Sequence, residues 1–101
     1  MEIIWTDKAL FDLKGIHTFL SEKSTVAAQK EIQKIYLKAS LLENSFSKVG
    51  QVEPLLNHLK KEYRFLISGN YKIIYNIRSA NIFIHTIFDT RQNPKKLKVS
   101  K

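Results

Sequence analysis

The spacing of the hydrophobic positions changes near residue 62, and this change separates a helical part of the chain from a part made of strands. Before it, apolar residues recur at intervals of three and four, which is typical of a helix that buries one face. After it, apolar and polar residues alternate, which is typical of a strand. Gly50 and Pro54 break any long helix between the two parts. The pattern predicts an α+β fold.

Two helices are predicted after a short first strand at residues 2–5. The first helix covers residues 7–22 and is capped by Thr6. Its apolar stripe consists of Leu10, Leu13, His17 and Leu20. Ser24 or Thr25 caps the second helix, which continues to about residue 45 and carries the stripe Ala28, Ile32, Ile35, Ala39, Leu42 and Phe46. Because only two or three residues join the helices, they should form an antiparallel hairpin.

Three strands at residues 63–67, 71–77 and 82–88 are predicted to follow as an antiparallel meander. Turns are expected at Ser68-Gly69-Asn70 and Ser79-Ala80-Asn81. We expect the helices to cover one face of this small sheet, within a single domain that spans residues 1–101. The tail from about residue 94 is basic and is expected to be mobile at its end.

The register of the strands decides which charged side chains share a face. A three-residue loop at 68–70 pairs Ile67 with Tyr71, so that the odd positions of these two strands point towards the helices. A two-residue Ala80-Asn81 turn places Ile82, Ile84 and Phe88 on the same inner face. The outer face then carries Arg64, Leu66, Lys72, Ile74, Asn76, His85 and Asp89, with Arg91 just beyond the last strand.

This outer face has the side chains of a phosphate-binding surface. Arg64 and Arg91 supply planar, bidentate donors, and Lys72 supplies a point charge. His85 could move a proton near neutral pH. The alternative is an ordinary solvated sheet face, which is normally polar, and the pattern favours neither interpretation. A single histidine such as His85 is more often a hydrogen-bonded bystander.

Net charge is the strongest feature of the composition. Seventeen Lys and Arg against nine Asp and Glu give +8, which favours a polyanionic partner, either nucleic acid or an acidic protein. The alternative is a domain that is merely basic. The absence of cysteine excludes disulfides and fits a reducing cytoplasm. No apolar run approaches the roughly 20 residues of a membrane span, and we find no signal peptide. No cofactor or metal motif is present.

Three stretches match a known family in order and spacing: "IIWTDKALFDLKGIHTFL", "EYRFLISGNYKIIYNI" and "IHTIFDTRQNP". With them, nearly the whole chain resembles the RelE/ParE superfamily of toxins from bacterial type II toxin–antitoxin systems. The first stretch is similar to the family's opening strand and helix, and the second to its tyrosine- and glycine-containing hairpin. The third is similar to its last strand, which is followed by Arg-x-x-Pro.

The resemblance implies one of two mechanisms. RelE-like toxins bind the ribosomal A site and cut mRNA, using cations on an open sheet face and a C-terminal tyrosine or a histidine. ParE-like toxins share the fold, poison DNA gyrase and lack a complete nuclease site. In both, an antitoxin, often with an acidic helical segment, wraps and neutralises the toxin. The implied partners are a cognate acidic antitoxin in a hetero-oligomer and either DNA gyrase or the ribosome and mRNA.

By this resemblance, Arg64, Lys72 and Arg91 fall on the nuclease cations, and His85 could replace the missing acid–base group. These four residues would be catalytic only in a nuclease. Leu97 stands where the tail tyrosine would act, and Leu66 stands where a second lysine is found in the nucleases.

The resemblance therefore implies a plasmid stabilization-type toxin that is ParE-like and inhibits growth through DNA gyrase. One alternative is a RelE-like, ribosome-dependent mRNA endonuclease, so whether the chain is an enzyme stays open. The other is a degenerate toxin that acts only as a basic, antitoxin-binding domain.

Overall fold

Two helices lie against one face of a five-stranded sheet in the computed structural model, which describes residues 2–44 and 50–99. The elements in chain order are β1 (Ile3–Trp5), α1 (Asp7–Ser21), α2 (Thr25–Asn44), β2 (Gln51–Val52), β3 (Arg64–Ser68), β4 (Tyr71–Arg78) and β5 (Asn81–Asp89), with 3-10 turns at Pro54–Leu56 and Pro94–Lys96. Among the described residues, no helix is long and apolar enough to cross a membrane. The predicted α+β architecture is confirmed, and the two-residue strand β2 is added to it.

Hydrogen bonds from single side chains fix the starts of both helices. The Thr6 hydroxyl accepts from the backbone N–H of Ala9 and donates to the carbonyl of Ile84, so it caps α1 and also ties it to β5. The Ser24 hydroxyl accepts from the N–H of Ala27 and caps α2. Since only residues 22–24 separate the helices, the predicted antiparallel hairpin is confirmed.

The sheet has the strand order β1-β5-β4-β3-β2. The first strand lies parallel to the last, with Ile3 opposite Ile82, and the other neighbours are antiparallel. The main core lies between the helices and the sheet. Its buried members are Ala9, Leu13, Ile35, Ala39, Leu42, Tyr71, Ile73, Tyr75, Ile82, Ile84 and Ile87. Leu10, expected in the stripe of α1, is 44% exposed, and Phe46 lies outside the described residues.

The other face of the sheet is also covered, which contradicts the expectation of an open outer face. A second core there consists of Leu56, Tyr63, Ile74, Phe88 and Leu97, with Leu59, Phe65 and Val99 packed against it. Its cover comes from the irregular segment before β3 and from the lysine-rich segment after Pro94. We refer to this side of the sheet as the second face, and to the other as the helix face.

The first hairpin has a two-residue turn, so the predicted pairing of Ile67 with Tyr71 is wrong. Ile67 lies opposite Lys72 instead. The turn is this tight because Gly69 adopts the left-handed backbone, with φ of 59°. The shift of one residue exchanges the faces of the whole of β3. Phe65 therefore packs in the second core, and Leu66 packs against the main core.

The second hairpin also departs from the predicted register. Its turn is Ser79-Ala80, with both residues left-handed and Arg78 opposite Asn81. Ile82 and Ile84 face the helices as predicted. A β-bulge then makes His85 an extra residue, because Ile84 lies opposite Tyr75 whereas Thr86 lies opposite Ile74.

The bulge inverts the alternation along the remainder of β5. Ile87 packs in the main core, and Phe88, predicted to face the helices, packs in the second core. The same inversion turns Asp89 to the helix face, where it lies opposite Tyr71. His85 and Asp89 therefore do not share a face, although the sequence predicts that they do.

Gly50 is expected to tolerate no side chain. A Cβ atom there would lie 2.6 Å from the carbonyl oxygen of Phe65 and 2.6 Å from the Tyr75 hydroxyl. We expect Gly50→Ala to lower the free energy of unfolding by roughly 1–3 kcal/mol, measured by urea denaturation. Gly15→Ala is the matched control, because its Cβ meets nothing within 4 Å in α1, and it should stabilise by roughly 0.5–1 kcal/mol. Equal stability of the two variants would contradict this packing.

Candidate functional site

Arg64 and Lys72 lie on opposite faces of the sheet. Arg64 is opposite Tyr75 of the main core, whereas Lys72 is opposite Phe88 of the second core. Residues directly opposite each other in adjacent strands point to the same side. The predicted single surface holding both cations is therefore wrong, and its cause is the one-residue shift at the Gly69 turn.

Arg64 is tied to the chain that enters β2. Its Nη1 atom donates to the carbonyl of Gly50 at 2.7 Å, and its Nε atom donates to the Glu62 carboxylate at 3.0 Å. The N–H of Gly50 donates in turn to the hydroxyl of buried Tyr75 at 2.9 Å. These contacts hold the edge of the sheet together.

Lys72 neutralises a buried carboxylate. Its Nζ atom lies 2.7 Å from Oε1 of Glu53 and 3.1 Å from Oε2, and it sits 4.3 Å from the ring centroid of Phe65. Glu53 is only 1% exposed. A carboxylate at this depth is costly without a cation, so Lys72 stabilises the packing of the segment before β3.

Arg91 forms a bidentate ion pair with Asp89. Its Nη2 atom lies 2.8 Å from Oδ2 of Asp89, and its Nε atom lies 3.0 Å from Oδ1. Hydrogen bonding from Arg91 lowers the pKa of Asp89. The pair is at the surface, since the Arg91 side chain is 57% exposed. It follows β5 on the helix face, across the sheet from Lys72.

His85 is buried on the second face and is only 5% exposed. Its Nε2 atom lies 2.6 Å from Oδ1 of Asn76, and its ring packs edge-on against Tyr63 and in parallel with Phe83. Burial, and then the charges of Arg78 and Lys61, lower its pKa from 6.5 to about 4. The ring is therefore neutral near pH 7 and is a weak proton acceptor.

The structure does not bring the four predicted site residues together. Arg64 and Arg91 lie on the helix face or at its edge, and each contacts a neighbouring carboxylate. Lys72 and His85 lie on the second face, one in an ion pair and the other in a hydrogen bond to an amide. The geometry gives no shared phosphate-binding surface of these four side chains.

A different group of cations surrounds His85. Sequence reasoning did not identify Arg78, Lys60 or Lys61, which line a cleft of about 450 Å³ on the second face. The other lining residues are His58, Leu59, Tyr63, His85 and Val99. We refer to this space as the basic cleft. The adjacent lysines were visible in the sequence, but they come near Arg78 only because they precede β3, which pairs with β4 so that Arg64 lies opposite Tyr75.

The described residues, 2–44 and 50–99, contain no group of three or more His, Cys, Asp or Glu placed to hold a metal ion.

Comparison with known proteins identifies one family. The model of the family described as "ParE toxin of type II toxin-antitoxin system, parDE" matches residues 3–94. A solved structure described as the chromosomal ParDE TA system from P. aeruginosa is 21% identical and superposes with a TM-score of 0.67. The match covers 86% of this chain and 92% of that one. No curated protein matches the sequence.

Removing the cation from the Glu53–Lys72 pair should destabilise the protein strongly. We expect Lys72→Met to lower the free energy of unfolding by about 3 kcal/mol, because Glu53 would be left buried and unpaired. The double variant Lys72→Met, Glu53→Met should recover most of this loss in urea unfolding. Arg91→Met, which breaks an exposed ion pair, is the control and should leave stability nearly unchanged. Equal effects of the two single variants would contradict the buried pair.

The pKa of His85 makes stability depend on pH. Because this pKa is about 4 when folded and 6.5 ordinarily, the unfolded chain binds the proton more tightly. The free energy of unfolding should therefore fall as the pH drops from 6.5 towards 4. An NMR titration of the ring measures the pKa, with resonances assigned by comparison with His85→Gln. That variant should lose less stability than the parent between neutral pH and about pH 5. A ring that titrates near its ordinary pKa would refute the assignment.

Proposed function

Since the chain belongs to the ParE toxin family of type II toxin–antitoxin systems, we propose that it inhibits growth by binding DNA gyrase without cutting nucleic acid. We propose further that a cognate acidic antitoxin neutralises it in a hetero-oligomer, and that it acts in the cytoplasm. One observation favours this mechanism over that of a nuclease: the cations that a nuclease would use are held in ion pairs with carboxylates of the protein.

Those cations are already engaged within the protein. Lys72 is held by buried Glu53, and Arg91 is held by Asp89 through two donors. A nuclease needs such cations preorganised towards the phosphate at which charge develops. Here a phosphate would have to displace a carboxylate from each. This supports an inhibitor that acts by binding.

The groups for proton transfer are also poorly suited to a nuclease. His85 is buried, neutral near pH 7 and hydrogen-bonded to Asn76. General acid–base catalysis works best with a pKa near the working pH. Leu97, at the position of the nuclease tail tyrosine, is only 7% exposed and packs in the second core.

The surface of the helices supports a protein partner. Phe11 is 75% exposed, Leu37 is 69% exposed and Phe19 is 66% exposed. Further exposed apolar side chains on the two helices are Leu10 of α1 and Val26, Tyr36 and Leu41 of α2. Apolar surface of this extent commonly marks a protein interface. A net charge of +8 would attract an acidic antitoxin to it.

Between α1 and the sheet, this surface includes a groove. Phe11, Gly15 and Phe19 of α1 line it together with Tyr71 and Ile87 of the sheet, and the polar residues of its lining are Asp12, Asp89 and Gln92. Gly15 opens the groove, since no atom lies within 4 Å of where its Cβ would be. A groove of this form fits the apolar face of a helix, which supports a helical antitoxin segment as its occupant.

The proposal is tested by inducing the protein without antitoxin and following thymidine and methionine incorporation over the first minutes. We expect DNA synthesis to stop first, and the purified protein to inhibit supercoiling by purified gyrase. It should leave mRNA intact on programmed ribosomes. Arg91→Ala should remain toxic, because an inhibitor that acts by binding needs no cation to stabilise a transition state and the substitution removes only a surface ion pair.

Two outcomes would overturn the proposal. If protein synthesis stopped first and Arg91→Ala abolished toxicity, the chain would be a RelE-like endonuclease. If growth continued normally and gyrase were unaffected, it would be a degenerate toxin that only binds antitoxin. A circular dichroism spectrum of each variant, matched to that of the parent, excludes misfolding as the cause of a lost effect.

A further inference from the structure

The cations of the basic cleft differ from the three cations predicted from the sequence in their distance from carboxylates. Arg64, Lys72 and Arg91 each contact a carboxylate. In the described parts of the chain, Lys60, Lys61 and Arg78 form no ion pair with an acidic side chain, and no acidic residue lines the cleft. Arg78 is held in place by the ring of Phe83, 4.4 Å from its guanidinium carbon. The cleft therefore has positive charge available to an anion.

A buried acceptor in the wall of the cleft is also unused. His85 lines the cleft, and its Nδ1 atom is buried without a hydrogen-bond partner among residues 2–44 and 50–99. Because Nε2 lies 2.6 Å from Oδ1 of Asn76, and an amide oxygen can only accept, we assign the proton of the neutral ring to Nε2, which leaves Nδ1 as an acceptor. A buried polar atom without a partner is costly. A ligand with an N–H group would satisfy it after a small shift of the ring, because the atom itself has almost no accessible surface.

The remaining wall of the basic cleft is largely apolar. Leu59 and Val99 belong to the second core, and the ring of Tyr63 packs edge-on against His85. Pockets for small molecules commonly combine apolar walls with a few convergent polar groups. A flat heteroaromatic ring would pack against Tyr63 and these aliphatic side chains. The cleft thus offers an apolar space, a hydrogen-bond acceptor and a cationic rim.

We propose that the basic cleft binds a nucleoside monophosphate. The base lies between Tyr63 and the aliphatic wall and donates an N–H to Nδ1 of His85 once the imidazole ring has shifted to expose this buried atom to the cleft. The phosphate lies between Lys61 and Arg78, where an ammonium and a planar guanidinium both reach it. The site uses neither the helix surface proposed for the antitoxin nor any of the three paired cations, so AMP binding can be measured separately from gyrase inhibition.

Binding should change the titration of His85. The titratable and charged groups that share the cleft with its ring are Lys60, Lys61, Arg78, His58 and Tyr63, and the side chains of Asn76 and Phe83 also contact the ring. Arg78 and Lys61 disfavour a positive charge on the ring. A phosphate between them would offset their charge, whereas an N–H donated to Nδ1 would oppose protonation. The ring signals should therefore move at neutral pH because of the new hydrogen bond, without protonation of the ring.

The full chain is titrated with AMP, adenosine and inorganic phosphate, with affinity measured by calorimetry and the ring of His85 followed by NMR. We expect AMP to bind at least about tenfold more tightly than either fragment, because only AMP reaches both the rim and Nδ1. Arg78→Gln and Lys61→Gln should each weaken AMP about tenfold. Lys34→Gln is the control for charge, because Lys34 is exposed on α2 and does not line the cleft, and it should change affinity less than about twofold.

Three results would overturn the proposal. Equal binding of phosphate and AMP would show a simple anion site, and equal binding of adenosine would show that the cations play no part. Equal weakening by Lys34→Gln would show that only net charge matters. Since Arg78 also packs on Phe83, Lys61→Gln alone, at an exposed position, keeps the test valid if Arg78→Gln fails to fold.

Discussion

Strand β4 must be covered on both faces, and the rest of the structure depends on this requirement. Four consecutive residues, from Ile73 to Asn76, are almost fully buried, which an open sheet with one solvated face could not provide. The helical hairpin covers one side. On the other side, the cover comes from irregular segments before β3 and after β5. These segments pack Leu56 and Leu97 over the strand.

This double cover explains why charged residues on the sheet have structural roles. The segment that covers the second face brings the carboxylate of Glu53 to a depth at which it needs Lys72. The same segments bury His85, and the loss of solvent around its ring lowers the pKa of the ring. Among residues 2–44 and 50–99, no acidic side chain lines the cleft at the edge of this cover, which Lys61 and Arg78 both line. The proposed binding surface therefore lies where the packing ends.

Sequence patterns predicted the helices well because each depends on local signals, such as the Thr6 cap and the stripe around Ile35. The sheet was harder, since its side-chain period is two and a shift of one residue exchanges the faces. A two-residue turn at Gly69 and the bulge at His85 each caused such a shift. Neither has a clear signal in one sequence, because isoleucines occupy both the odd and the even positions nearby. The basic cleft depends on those registers, so it could not be found either.

The parallel pairing of β1 with β5 has a consequence for how the protein is made. Ile3 meets Ile82, so the first strand has no partner until almost the entire chain has left the ribosomal exit tunnel. The hairpin of α1 and α2 emerges much earlier, with the apolar side that later faces the sheet still uncovered. Contacts between such distant segments form late in folding. A nascent chain of this protein therefore cannot complete its sheet until β5 is available to pair with β1.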